Sequence, residues 1–284
     1  MGDIHCGICS IILPELSPDE LIERVAQAGF DGIEWRVAAP AAAHGPHTYW
    51  NNNRATLAPE ALASELPRLI QLAAAHGVST CAISPYYTCL EPASVESVMA
   101  AMPAGCGMHV RVTAPNYDAS RHYNAQFAAA RSAFANIERL AQRYGVRACL
   151  EQHQGSLTPS ASACVRMVDG LNPKYIGVIM DPGNTVVEGY ENFSMAVEML
   201  GPYLAEIHLK NATRVKTDDG GRQRWGVKWD SLAAGMADLH ELRVALHKNH
   251  FSGGLLLEDF SDRPATQRLA EGRETMQWLR LPPG

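Results

Sequence analysis

The chain lacks three features that would each indicate a class of protein: an excess of positive charge, a long hydrophobic run and a signal peptide. Its 284 residues carry 24 Lys and Arg against 30 Asp and Glu, a net charge of −6, with no basic block. A nucleic-acid-binding face needs clustered Lys and Arg, so the composition argues against that class. The apolar stretches are too short to cross a bilayer. The amino-terminal MGDIHCGICS has neither region of a signal peptide, and we expect a soluble cytoplasmic protein.

Paired cysteine motifs are also scarce. The seven cysteines are odd in number and scattered, and only Cys6 and Cys9 form a CxxC, in the segment CGIC. Such a pair occurs in redox and zinc sites, but this chain has no second pair, and this one falls inside a predicted strand rather than at a helix start. We interpret the cysteines as buried thiols of a reducing compartment.

What the chain does contain is a regular alternation of short apolar stretches and longer amphipathic ones. Strands are predicted at residues 3–9, 31–37, 78–84, 107–113, 146–151, 175–180, 203–209 and 254–259. Helices are predicted at 17–29, 59–76, 92–102, 119–144, 159–171, 192–200, 230–250 and 264–279. Several strands are nearly continuous apolar runs, as parallel strands covered on both faces should be.

Eight strands alternating with eight helices predict an α/β fold, a single (β/α)8 TIM barrel domain over residues 1–284. A doubly wound sheet is the rival arrangement, but no GxGxxG or P-loop follows an early strand. Two long segments, 38–58 and 211–229, are predicted as irregular loops. Because both follow strands, we expect them to lie over the catalytic face of the barrel.

Four residues of metal-ligand type lie at the carboxyl ends of four consecutive strands. They are Glu151 in ACLEQH, Asp181 in YIGVIMDPGN, His208 in YLAEIHLKN and Glu258 in GGLLLEDF. Their wide spacing excludes a shared loop or helix, so they meet only if their strands are parallel neighbours. Hard divalent cations prefer carboxylates with a single imidazole. We therefore predict one shared divalent ion, and the ligand set accepts Mn²⁺, Mg²⁺, Co²⁺ or Zn²⁺.

The segments that carry these residues resemble the xylose-isomerase-like TIM barrels, a group of sugar isomerases and epimerases that also holds endonuclease IV-like proteins. The similar segments are LEQHQG, DPGN, HLKN and LLLED, with GFDGIEWR at the second strand and GVKW at 226–229. The resemblance implies a single ion, Mn²⁺ before the others, held by Glu151, Asp181, His208 and Glu258. It also implies proton transfer next to a carbonyl through a metal-stabilised enediolate, with Glu151 and Glu258 as general base and acid.

The chain departs from the ketose 3-epimerases of that group at two positions. They carry a histidine three residues after the metal aspartate, where this chain has Asn184, and a second glutamate six residues after the first, where it has Leu157. Both positions handle the carbonyl end of the substrate, so a free-ketose 3-epimerase is disfavoured. Other members that are similar to this chain are lyases, and His153, two residues after Glu151, is placed to protonate a leaving group.

Asn184 is a candidate for substrate binding, and five further residues are candidates that each have a structural alternative. Lys210 holds a substrate oxygen or phosphate, or supports a carboxylate. Glu34 and Arg36 share one face of the second strand, where they bind substrate or form an internal ion pair. Trp225 and Trp229 stack on a sugar ring or pack within their loop.

These observations leave four hypotheses for the function. The first is a metal-dependent isomerase or epimerase acting on a small carbohydrate or polyol, and the second is a lyase of the same fold that dehydrates or deglycosylates a keto-polyol. The third, an abasic-site endonuclease, is disfavoured by the negative charge and by the absence of further strand-end histidines. The fourth, a non-catalytic sugar-binding barrel, has no need of four metal ligands. We expect a homo-oligomer, and the need for a partner subunit is left open.

Overall fold

A closed barrel of eight parallel strands forms the centre of the protein, described from a computed structural model over residues 4–39 and 45–283. The barrel strands are β1 (Ile4–Cys9), β2 (Gly32–Val37), β3 (Ser79–Pro85), β4 (His109–Val112), β5 (Arg147–Glu151), β6 (Ile176–Met180), β7 (Leu204–Leu209) and β10 (Gly253–Leu257). Their order around the barrel is β1-β10-β7-β6-β5-β4-β3-β2. Each neighbouring pair is parallel. The predicted TIM barrel, with its eight strands, is confirmed.

Helices surround this barrel. In the described ranges they are α1 (Pro18–Gln27), α2 (Leu62–Ala75), α3 (Pro92–Ala101), α4 (Tyr123–Tyr144), α5 (Ala161–Val168), α6 (Pro182–Glu188), α7 (Phe193–Leu200), α8 (Leu239–Lys248) and α9 (Ala265–Arg280). α1 begins with a capping box in which Ser17 and Glu20 exchange hydrogen bonds. None of these helices combines the length and the apolar character needed to cross a membrane.

The prediction of an irregular loop at 211–229 was wrong. The segment forms an antiparallel hairpin of β8 (Asn211–Asp219) and β9 (Arg222–Asp230). The connection is Gly220–Gly221, with φ of +62° and +82°. Positive φ at both central residues is the requirement of the tightest hairpin turns, and Gly-Gly meets it. The Gly pair was therefore a hairpin signal that the polar composition concealed.

Two helix predictions also need correction. The short helix α6 was missed, because DPGN has the composition of a turn; Asp181 caps it by accepting the Asn184 amide at 2.9 Å. The helix predicted at 230–250 begins only at Leu239, where Asp238 is the N-cap. The predicted loop at 38–58 includes residues 40–44, which lie outside the described residues.

One large cluster of buried hydrophobic side chains draws its members from the barrel strands and the surrounding helices alike. The seven cysteines are free thiols, and both members of the CGIC pair are buried. One close approach of two strands depends on glycine: Gly7 of β1 pairs with Gly32 of β2. A Cβ at Gly7 would lie 2.6 Å from the Gly32 carbonyl oxygen, closer than any packing allows.

We predict that Gly7→Ala lowers the free energy of unfolding by about 1–3 kcal/mol, the usual cost of forcing atoms into a packed core. Gly32→Ala is the matched control, because its Cβ would meet the Cys81 sulfur at 3.3 Å, a contact that a small shift relieves. Urea unfolding of both variants measures the difference. Equal losses would mean that the backbone contact does not limit the spacing of β1 and β2.

Candidate metal centre

The four predicted ligands come together at the carboxyl end of the barrel. Glu151 ends β5, Asp181 follows β6, His208 lies in β7 and Glu258 follows β10, and these four strands are consecutive in the barrel order. All four side chains are buried. One ligand atom from each lies within 4.8 Å of the others, a separation that a single coordinated ion can bridge.

The orientation of His208 is fixed by two carboxylates behind it. Its Nε2 lies 3.0 Å from Glu206 and 3.3 Å from Glu34, while Nδ1 lies 3.6 Å from Glu151 and 3.9 Å from Glu258. Nε2 thus faces these two carboxylates, and Nδ1 faces the ligand cluster, where it has no hydrogen-bond partner. A carboxylate on the far nitrogen is the usual support of a metal-binding histidine.

Glu206 extends this support across the barrel. Its second oxygen lies 3.6 Å from Nδ1 of His109, at the amino-terminal end of β4. Burial raises the pKa of Glu206, but the two histidines outweigh this effect and lower it to about 2. Glu206 is thus ionised and serves as a negative partner for His208.

Glu151 is held ionised by an arginine that the sequence did not single out. Arg111 donates to its Oε2 at 2.8 Å and also to the Pro85 carbonyl, and both side chains are buried. Burial opposes ionisation of Glu151, but Arg111 together with His208 and His153 outweighs it and holds the pKa well below its usual range.

Lys210 joins the other two acids of the cluster. Its ammonium lies 2.7 Å from Glu258 Oε2, to which it donates, and 2.6 Å from Asp181 Oδ2. The lysine is buried, which disfavours its charge, but Asp181 and Glu258 raise its pKa above the usual value. Asp181 Oδ2 accepts no hydrogen bond despite this proximity. Gly183 makes room for the lysine stem, since a Cβ there would meet it at 2.8 Å.

The charges of the site leave room for a cation. Five buried acids lie in it or behind it: Glu34, Glu151, Asp181, Glu206 and Glu258. The positive partners are Arg111 and Lys210, with His109 and His208 beside Glu206, so five acids face at most four positive charges and remain in excess. Burial raises the pKa of Asp181 and of Glu34, as expected of carboxyls without full compensation. The surplus charge and the free Nδ1 both fit a divalent ion.

Cys9, Glu34 and His208 form a second group close enough for a shared ion. This group uses the imidazole from its other side, where Nε2 is already held by carboxylates. Burial raises the pKa of the Cys9 thiol well above its usual value, and a thiol must lose its proton to bind a metal. The first group is therefore the better fit to a divalent ion.

The other predicted site residues lie at different distances from the ligand cluster. Lys210 lies within the ligand cluster, and Glu34 lies behind His208. Arg36 forms no ion pair with Glu34, since its partners are the hydroxyls of Tyr86 and Thr56.

Three further candidates lie outside the ligand cluster. Asn184 is buried, donates to the Gln152 carbonyl at 2.9 Å and has an unpartnered Oδ1. His153 is partly buried, with Nδ1 2.8 Å from the Gln154 carbonyl. Trp225 is 65% exposed on the hairpin. Their roles stay predictions.

Sequence reasoning missed both the supports and the aromatic surroundings of the site. Arg111 lies two residues after His109 in β4, and Glu206 lies two residues before His208 in β7, so each pair shares one face of its strand. This spacing of two was the sequence signal for both supports. Trp229 and Phe260 lie close to Lys210, with ring centres 5.1 and 5.4 Å from its ammonium. Nothing in the local sequence of Phe260 distinguishes it from a core residue.

Comparisons with known proteins agree with this architecture. A family model described as "Xylose isomerase-like TIM barrel" matches residues 22–281. No curated protein matches the sequence.

Solved structures resemble the chain in fold at low identity. A 3-keto-D-glucoside 4-epimerase from E. coli is 16% identical, with a TM-score of 0.68 over 98% of this chain and 99% of its own. A xylose isomerase-like TIM barrel protein from Mycobacterium smegmatis, in complex with magnesium, is 15% identical, with a TM-score of 0.65 over 97% and 95%. A probable 3-DHS dehydratase from Bacillus anthracis is 13% identical, with a TM-score of 0.66 over 98% and 99%. The family model spans most of the chain, which therefore belongs to the xylose isomerase-like TIM barrel family.

Proposed function

We propose that this protein is a divalent-metal-dependent isomerase or epimerase of a sugar or sugar-like polyol, acting by proton transfer next to a carbonyl. The observation that carries the proposal is the pair of buried carboxylates, Glu151 and Glu258, within one ligand cluster. Each is paired with its own cation, Arg111 and Lys210 respectively. Two acids in separate environments suit the two halves of a proton transfer.

A bound ion would polarise the substrate carbonyl and stabilise the negative charge that develops when the adjacent carbon loses its proton. Mn²⁺ is our first expectation for three carboxylates and one imidazole, with Mg²⁺, Co²⁺ and Zn²⁺ as alternatives. Asp181 and His208 serve only as ligands in this scheme. Glu151 and Glu258 also carry the proton.

The chain's own residues then perform the transfer. Glu151, kept ionised by Arg111, removes the proton from the carbon next to the carbonyl. Glu258, protonated before this step, gives its proton to the opposite side of that carbon, which inverts it, or to the neighbouring carbon, which isomerises the substrate. Glu151 then holds the proton it removed, and exchange with solvent restores both acids. Lys210 donates a hydrogen bond to a substrate oxygen, and Asn184 lies near the carbonyl end. The substrate is a small carbohydrate or polyol, and we expect a homo-oligomer.

A lyase is the second candidate, and His153 is the residue that favours it. Elimination begins with the same proton removal and then needs an acid for the leaving group. With Nδ1 held by the Gln154 carbonyl, Nε2 of His153 is the atom that would exchange a proton with a substrate. The fold similarity to a probable 3-DHS dehydratase is compatible with this alternative.

Proton NMR in D₂O distinguishes these functions, with Mn²⁺-loaded protein and a panel of ketoses, inososes and 3-keto-glycosides. Deuterium next to the carbonyl, with carbon skeleton and hydroxyls intact, is expected for an isomerase or epimerase. Loss of water or of an aglycone, with new vinylic signals, would identify a lyase. A metal-loaded protein that exchanges no proton of any panel member would contradict the proposal.

We predict that Glu151→Gln and Glu258→Gln each lower the rate of deuterium exchange by about 10²–10⁴-fold, the usual contribution of a general acid or base. Both variants should keep the circular dichroism spectrum of the parent. Glu198→Gln is the control, because this exposed glutamate only pairs with Lys248 on the surface. Full exchange by either active-site variant would exclude the two-carboxylate mechanism.

Replacing the ligand His208 should reduce metal affinity more than replacing Glu206, the carboxylate that supports it. We expect His208→Ala to abolish Mn²⁺ binding measured by calorimetry. Glu206→Gln should weaken it by about 10–100-fold, because the imidazole loses a charged partner on Nε2. Unchanged affinity in His208→Ala would remove this residue from the ligand set.

Lys210→Met tests substrate binding separately from metal binding. Loss of a charged hydrogen bond of about 1.5–3 kcal/mol should raise KM by about 10–100-fold while Mn²⁺ still binds. Lys248→Met, a change at an exposed lysine paired with Glu198, should leave KM unchanged. A lower melting temperature with an unaltered KM would make Lys210 a structural residue.

A further inference from the structure

Four aromatic side chains, Tyr49, Trp50, Trp229 and Phe260, form a cluster beside the metal centre. Phe260 is central, with its ring centre 4.9 Å from Tyr49, 5.0 Å from Trp50 and 6.0 Å from Trp229. The members come from three separate parts of the chain: the segment after β2, strand β9 and the segment after β10. We call this group the aromatic cluster.

The aromatic cluster is continuous with the catalytic residues. Phe260 follows Glu258 by two positions, and the Lys210 ammonium that binds Glu258 lies over the rings of both Phe260 and Trp229. A molecule that contacts Lys210 and Glu258 therefore has aromatic surface next to it. Cation–π contact also holds the two rings against the lysine.

Trp50 is the outer member of the aromatic cluster, and its 50% exposure is unusual for so large an apolar side chain. Its segment is fixed rather than loose. Thr48 and Asn51 close a turn through their backbones, and the Asn53 side chain donates to the carbonyls of Ile11 and Tyr49.

The neighbouring Tyr49 hydroxyl donates to the Ser261 carbonyl at 3.3 Å. Several hydrogen bonds of its neighbours thus hold the Trp50 segment in place while half of the indole is exposed to water. A rigid exposed aromatic ring loses little entropy on contact with a ligand.

We propose that the aromatic cluster is a subsite for a flat apolar ring attached to the polyol part of the substrate, so that the natural substrate is an aryl keto-glycoside or a similar ring-substituted keto-polyol. This inference rests on the proposed function, because it places the polyol at Lys210 and Glu258. A sugar ring bound at Lys210 and Glu258 would have Phe260 as its aromatic neighbour. Trp50, whose ring centre lies 5.0 Å from that of Phe260, is half exposed and available to a substituent that stacks on it.

The test compares methyl and phenyl glycosides of the same sugar, as matched β-D-glucoside, β-D-galactoside and β-D-xyloside pairs, by calorimetric titration of the Mn²⁺-loaded full chain. In at least one pair we expect the phenyl member to bind about tenfold or more tightly. Trp50→Ala should reduce that preference to less than about twofold, and Trp50→Phe should keep most of it. Tyr190→Ala is the matched control, because this 54% exposed ring packs on Phe193 instead.

Two outcomes would overturn the inference. One is the absence of a phenyl preference in every pair, including the case in which no glycoside binds. The other is a preference that survives in Trp50→Ala. A change in the mass of Trp50→Ala by light scattering, without a phenyl preference, would assign Trp50 to a contact between copies of the chain.

The result of this experiment does not depend on whether the proposed function is correct. The glycosides carry no free carbonyl, so their binding requires no proton transfer. A phenyl preference without deuterium exchange would keep the subsite and reject the isomerase. Deuterium exchange without a phenyl preference would keep the isomerase and reject the subsite.

Discussion

The structure depends on one electrostatic constraint: an excess of negative charge buried inside the barrel. An ionised carboxylate in the interior is costly unless a positive charge or several donors compensate it. The chain provides Arg111 for Glu151 and Lys210 for Asp181 and Glu258, and it places His208 among the remaining oxygens. A cation at the centre would complete the compensation, and the cluster is consistent with a divalent metal site.

The barrel topology brings these acids together at one end of the barrel. Strands β5, β6, β7 and β10 are neighbours and parallel, so their carboxyl ends form one continuous arc. Backbone hydrogen bonds between the strands fix the spacing of the ligands before any metal binds. Behind this arc, Glu34 and Glu206 hold the imidazole of His208, so its free nitrogen does not rotate away.

The meeting of the four candidate ligands was predictable from sequence because each ends a short apolar run, and such runs mark parallel strands. Arg111 and Glu206 were harder to predict, because their roles depend on which face of their strands points into the barrel. The period of two shows which residues share a face of a strand, but not which face points inward. The hairpin was concealed by its polar composition, although Gly220–Gly221 carried the turn signal. The aromatic cluster was beyond prediction, because Trp50 and Phe260 are 210 positions apart in the sequence and meet only when the barrel closes β1 against β10.

Chemistry and specificity are therefore carried by different parts of the chain. The strand ends contribute the acids and the ligands, whose positions the barrel fixes, and they set the reaction class. The segments after β2, β7 and β10 contribute the aromatic cluster and are free to vary without disturbing strand pairing. At the position where ketose 3-epimerases of similar sequence carry a second glutamate, this chain has Leu157, which is 1% exposed and so offers no polar group to a carbonyl end. A leucine in place of that glutamate and the exposed indole of Trp50 both suit the proposed substrate, which is larger than a free ketose and has an apolar part.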